Sequence, residues 1–252
     1  MFKIETGNLA QDTIVFLHGG GLDHTQWNEV MQHLSGDFRC VAVDLPGHGR
    51  SRDIELSMDK VMEELEVLVA SYGKVHLVGL SLGGVITLTA LNRFPSFIKS
   101  AIVSGTVFSF DLKNAKLINK YAAPIYSMLK PEWITSILMK TSNIPMRFKE
   151  DISEAVKFTS VEQVRNMYIT LASGEFPEGN QCPLLAVVGE KENKIVKDSQ
   201  ASIVTSITQS EGAIVPKAGH AWSYENPVLF AEMVREWCSR TKIHYVLRSL
   251  EK

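Results

Sequence analysis

The chain has 252 residues, 45% of them hydrophobic and 21% charged, the balance of an ordinary globular protein and unlike that of a disordered or fibrous one. That length suits one large domain carrying an insertion better than two equal domains. A net charge of -2 offers no field to gather nucleic acid or an anionic membrane, so neither is expected as a partner.

The chain opens with MFKIETGNLAQD, without the apolar run of a secretory signal, and no later stretch of about 18 apolar residues is available to span a bilayer. TIVFLH (13–18) and FRCVAVDL (38–45) are β-branched apolar runs bounded by glycine and proline, the pattern of strands buried on both faces. Ser57 then caps a predicted amphipathic helix that ends at Gly73. KVHLVG (74–79) reads as a strand, residues 82–95 as a helix that Pro95 stops, and IKSAIVSG (98–105) as another strand. Strand and helix alternate, as in a parallel sheet wound on both sides. From 106 to 180 the alternation gives way to helical stretches carrying Tyr121, Tyr126, Met128, Trp133, Met139, Phe148 and Tyr168, which reads as a helical insertion over a core built from 1–105 and 181–252. These bulky side chains are expected either to pack the insertion onto the core or to line an apolar pocket. LLAVVGE (184–190) and GAIVPKAG (212–219) resume the strand pattern around a helix at 196–207, and Asn226-Pro227 opens the last helix, to about Arg240. Cys40, Cys182 and Cys238 are scattered and odd in number, so they read as buried thiols in a reducing compartment, and a cytoplasmic location is expected.

The chemistry concentrates at Gly79-Leu80-Ser81-Leu82-Gly83, on the predicted strand-to-helix junction. A chain that turns at once from strand into helix strains the corner residue, and glycines two positions away on each side remove the side chains that would collide. The hydroxyl of Ser81 then stands exposed beside the free NH groups of a helix start. A serine hydroxyl needs a base and a donor for the oxyanion that its attack creates. His18-Gly19-Gly20-Gly21 follows the first clear strand, and its poor side-chain content allows a backbone NH to turn toward the site: Gly20 is the candidate donor beside the NH of Leu82, with His18 bracing the loop. Among seven histidines, His24, His33 and His244 fall in surface or helical segments, His76 inside a strand and His48 in a turn-rich loop. His220 lies in KAGHAW between the last strand and the last helix, at the sheet edge of Ser81, and is the candidate base.

FLHGGG, VDLPGHGRS, VGLSLGG, VVGEKEN and KAGHAW resemble, in that order, the segments of the α/β-hydrolase superfamily, and the resemblance covers nearly all of the chain. It is closest to smaller capped members such as carboxylesterases, enol-lactonases and carbon-carbon bond hydrolases. The resemblance implies an α/β fold with an eight-stranded, mostly parallel, doubly wound sheet, a helical cap after strand six, and a triad in the order serine, acid, histidine. Where an aspartate is usual, three residues past the glycine that ends the strand before the acid, this chain has Glu192. Glu190 and Asp198 are its local rivals, and Asp111 would serve if the acid came from the strand before the insertion.

The expectation is therefore a serine hydrolase cleaving a small, apolar carboxylic ester, thioester or lactone through an acyl-enzyme, without a metal or organic cofactor. A carbon-carbon hydrolase or a cofactor-free perhydrolase would use the same residues. A small-molecule receptor on a hydrolase scaffold is the alternative of another class, and the presence of nucleophile, base and oxyanion loop together speaks against it.

Overall fold

The computed structural model describes residues 1–108 and 112–250. One sheet holds β1 (Lys3–Thr6), β2 (Thr13–Leu17), β3 (Arg39–Val43), β4 (Val75–Leu80), β5 (Ile98–Ser104), β6 (Leu184–Gly189), β7 (Ser210–Val215) and β8 (Arg248–Ser249). Their spatial order is β1-β3-β2-β4-β5-β6-β7-β8. β2 to β7 run parallel, and β1 and β8 close the edges antiparallel. The central strands are buried throughout and mostly apolar because both faces are covered. Ile14 and Phe16 point to a core shared with Val30 and Leu34 of α1 (Asn28–Leu34) and with Phe230 and Trp237 of α10 (Pro227–Arg240). Val15 and Leu17 point the other way, toward α2 (Met58–Ala70), α3 (Leu82–Arg93) and α8 (Lys194–Ser206).

The register lines up the carboxyl ends of the strands. Leu17 sits opposite Gly79, Leu80 opposite Ser104, Ser104 opposite Val187, and Gly189 opposite Val215. Loops that follow β2, β4, β5, β6 and β7 therefore emerge at one edge. The chain leaves β2 to opposite sides, β3 on one flank and β4 on the other, and such a reversal opens a crevice at that edge.

Between β5 and β6 run α4 (Leu112–Met128), α5 (Pro131–Ser142), α6 (Lys149–Lys157) and α7 (Val161–Ala172). In chain order this segment follows the fifth strand rather than the sixth. Only β1 precedes β2, and the eighth place in the sheet is filled from the C-terminal segment by β8. Neither edge strand stood out in the sequence, because β1 is four residues long, β8 is two, and both are largely exposed. The last parallel strand stops at Val215 rather than 219: Pro216 has no NH to give, and Lys217 turns left-handed at φ 61°. Met139 and Phe148 join the core as expected, whereas Tyr121, Met128 and Trp133 are exposed and do neither of the two things anticipated for them. Among the described residues no helix is long and apolar enough to cross a membrane.

Candidate active site

Ser81 occupies the corner between β4 and α3 at φ 53° and ψ −109°, a conformation that costs a side-chain-bearing residue on the order of 1–3 kcal/mol. The neighbouring glycines explain why the corner closes. A Cβ on Gly79 would run into the Gly83 carbonyl, and one on Gly83 would run into the carbonyl of Leu17 at the end of β2. The start of α3 is thus seated directly against the β2 loop. The NH of Ser81 donates to Ser104 O at 2.8 Å, tying the corner to β5. Leu82 is the first residue of α3, where a backbone NH has no partner within the helix.

One residue beyond Ser104, Gly105 turns left-handed at φ 58° and lies against His220: a Cβ there would sit 2.8 Å from the imidazole Nδ1 and 3.1 Å from Glu192 Oε2. His220 and Glu192, 28 residues apart, meet at 2.6 Å. A carboxylate only accepts, so Nδ1 carries the proton of this bond, which selects the tautomer whose Nε2 is the acceptor whenever the ring is neutral. The second oxygen of Glu192 accepts from the NH of Gly189 at 2.9 Å, so the carboxylate curls back over the turn that ends β6. Its side chain is 2% exposed, while that of His220 is 28% exposed. The rival carboxylates sit elsewhere. Glu190 pairs with Arg248 and accepts from the Lys217 NH, Asp198 pairs with Lys194, and Asp111 lies outside the described residues.

Several residues that sequence reasoning missed hold these loops. Gln26, fully buried, accepts from the Gly19 NH at 3.0 Å and donates to Ser223 Oγ at 3.3 Å, joining the glycine loop to α9 (Trp222–Glu225). Glu225 accepts from the Gly219 NH at 2.7 Å and from the side-chain amide of Asn143. Trp222 donates to Ser104 Oγ at 2.9 Å, and the Ala221 NH donates to Ser142 O at 3.1 Å. Nothing in the local sequence of a lone Gln, Glu or Trp announces such bridges.

His18 is buried, gives its Nδ1 proton to Gly19 O at 2.8 Å and accepts the Leu45 NH on Nε2 at 3.0 Å, so it braces two loops. Burial lowers its pKa, and burial with the nearby His18 ring takes His48 down to about 3. His76 is buried on Ser100, and His244, placed with His24 and His33 in surface or helical segments, is buried as well. His24 binds the buried Asp44 at 2.6 Å; burial lowers its pKa, but the Asp44 contact outweighs burial and leaves it raised. Asp23, His24 and Asp44 form a group with metal-ligand spacing. Its oxygens are already engaged: Asp44 accepts from the NH groups of His24 and Arg50, and Asp23 accepts from Thr25. It is a loop brace.

α5 and α7 lie beside the crevice. The Met167 side chain rests on Gly20, where an added Cβ would meet its sulfur. Lys140 to Asn143 wall a cavity of about 500 Å³ whose other side holds Glu192, Gly219 and His220.

A sequence profile of the alpha/beta hydrolase family matches residues 14–233. The chain belongs to the alpha/beta hydrolase family. This hydrolase is 24% identical over 240 residues to a protein of Gibberella zeae named as an AB hydrolase superfamily member, covering 91% of this chain and 81% of that one. It is 27% identical to the pimeloyl-[acyl-carrier protein] methyl ester esterase of Wigglesworthia glossinidia brevipalpis, covering 88% and 92%. Some matched proteins are longer: the hydrolase spans 16% of one from Arabidopsis thaliana. Among solved structures, an esterase from Exiguobacterium antarcticum superposes with a TM-score of 0.82 over 94% of both chains at 16% identity, a likeness of fold.

Proposed function

We propose that this alpha/beta hydrolase is a serine esterase acting on small, apolar carboxylic esters, thioesters or lactones through an acyl-enzyme. The observation that carries the reading is the His220–Glu192 pair at 2.6 Å, seated on Gly105, one residue past the Ser104 carbonyl that holds the Ser81 NH. In this reading Ser81 Oγ attacks the acyl carbonyl while His220 Nε2 takes its proton, and Glu192 stabilises the imidazolium that forms. The NH groups of Leu82 and Gly20 receive the oxyanion. His220 then returns the proton to the leaving oxygen, and water, activated by the same ring, cleaves the acyl-enzyme. The segment 106–180 serves as a cap over the crevice, with Met167 setting the space above Gly20.

In this reading the proton moves only between Ser81, His220 and the substrate, and the scheme itself has no step that uses a metal or organic cofactor. The test is labelling by a fluorophosphonate, which should modify Ser81 in the wild-type protein and leave Ser81→Ala untouched. Glu192→Gln should retain the fold and lower p-nitrophenyl acetate turnover about 10⁴-fold. Folded protein that resists the probe would assign the scaffold to a receptor, and turnover by Glu192→Gln near the wild-type rate would remove Glu192 from the triad.

A further inference from the structure

The net charge of -2 hides a segregated distribution. Between Leu112 and Ser142 stand five lysines and a single acid, Glu132. Lys113, Lys116, Lys120, Lys130 and Lys140 are exposed, and none pairs with a carboxylate among the described residues. Several cations elsewhere on the surface do pair, as Arg39 does with Glu5, Arg93 with Glu175, Lys99 with Asp12 and Arg235 with Asp37.

The same stretch exposes large apolar side chains. On α4, Leu117, Tyr121, Ile125 and Met128 recur at helical spacing along one stripe and are 55%, 59%, 58% and 83% exposed. The buried Ala115 lies on the opposite side of that helix, and Lys113, Lys116 and Lys120 border the stripe along one flank. On α5, Trp133 and Ile137 stand one turn apart, 60% and 52% exposed, while Thr135 and Met139 face inward. An amphipathic helix with lysines beside an aromatic and aliphatic stripe has the composition that lies in a lipid interface.

We propose that the outer surface of α4 and α5 docks on an anionic lipid surface, with the lysines at the headgroups and Tyr121, Ile125 and Trp133 in the interfacial layer. Lipid satisfies both halves of the patch at once. A polyanion such as nucleic acid would neutralise the lysines and leave the apolar stripe in water. A second copy using the same face would bring two positive surfaces together.

The tryptophans supply the test. Trp27, Trp222 and Trp237 are at most 1% exposed, so a change in emission on binding reports Trp133. Full-length protein is mixed with phosphatidylcholine vesicles with or without phosphatidylglycerol, and both sedimentation and tryptophan emission are read. Expected are co-sedimentation and a blue shift with the anionic vesicles only. Trp133→Phe should abolish the shift and still sediment. The triple variant Lys113→Gln, Lys116→Gln, Lys120→Gln should raise the lipid concentration for half-binding by roughly two orders of magnitude. Tyr121→Ser with Ile125→Ser should weaken binding about tenfold or more at unchanged charge. All are surface changes, so thermal midpoints should stay at the wild-type value, and Ser81→Ala should bind as wild type, which separates docking from catalysis. Absence of wild-type binding to anionic vesicles, or equal binding by the lysine triple variant, overturns the proposal. So does lipid-free self-association that Tyr121→Ser with Ile125→Ser dissolves, which would give the surface to a second copy.

Discussion

Gly105 shows how one missing side chain positions a catalytic candidate. It combines φ 58° with a Cβ position 2.8 Å from His220 Nδ1, so alanine there is strained and pushes the ring off Glu192. A displacement of that kind costs on the order of 10²-fold in turnover. Gly105→Ala should therefore keep its fold by circular dichroism and lose about that factor in kcat on p-nitrophenyl acetate, with a smaller change in KM. Ser81 and His220 could be picked out of the chain because each stands in a local motif with a chemical reason, and Glu192 by its place in the family resemblance. Gly105 and Gln26 could not: the first matters through a histidine more than a hundred positions away, and the second through Ser223, 197 positions away.

At the scale of elements, the junction of β4 with α3 depends on how closely the helix start approaches β2. The Gly83 Cα has a backbone carbonyl, that of Leu17, where a side chain would go, and a backbone oxygen cannot swing aside as a flexible side chain does. Gly83→Ala should lower stability by about 3 kcal/mol, read as a drop in the urea midpoint at constant slope. Gly20 offers the contrast, since its Cβ would meet the end of the Met167 chain, which can move. The strands and helices that face the core were readable from period and caps, as with Ser57 ahead of α2 and Asn226-Pro227 at α10. β1 and β8 were not, because short exposed edge strands carry no periodic signal and exist only by pairing with β3 and β7.

For the whole molecule, buried histidines set the response to acid. Burial pulls His48 down to about 3 and His76 to about 4 from an ordinary 6.5, and lowers His18 as well. The unfolded chain binds these protons below about pH 6.5 and the folded chain does not, so their stability is complete above that pH and drains as it falls. Each histidine withdraws about 1.4 kcal/mol per pH unit through that window. His24 acts in the opposite sense, because the Asp44 contact raises its pKa against burial and its stabilisation is present below 6.5 and lost above. Three groups against one leave a net loss, so the urea midpoint should fall steadily from pH 7 to pH 5. His48→Asn should flatten that slope by one histidine's share. The charge of the whole chain was likewise a poor guide to its surface. The sum of -2 says nothing of distribution, and the lysines of α4 and α5 are separated from the acids that cancel them.

The sequence by itself determined the doubly wound sheet, the serine at a strand-to-helix corner and the candidate histidine, and it narrowed the acid to a few carboxylates. Local rules govern all of these: side-chain period sets which faces are buried, and glycine spacing decides where a backbone can turn sharply. Tertiary structure decided what depends on distance between remote positions, namely that Glu192 rather than Glu190 or Asp198 reaches His220. It also decided that Tyr121, Met128 and Trp133 face water. A one-dimensional pattern records that a residue is apolar, but burial is a property of which element arrives to cover it, and for the outer face of α4 and α5 none among the described residues does.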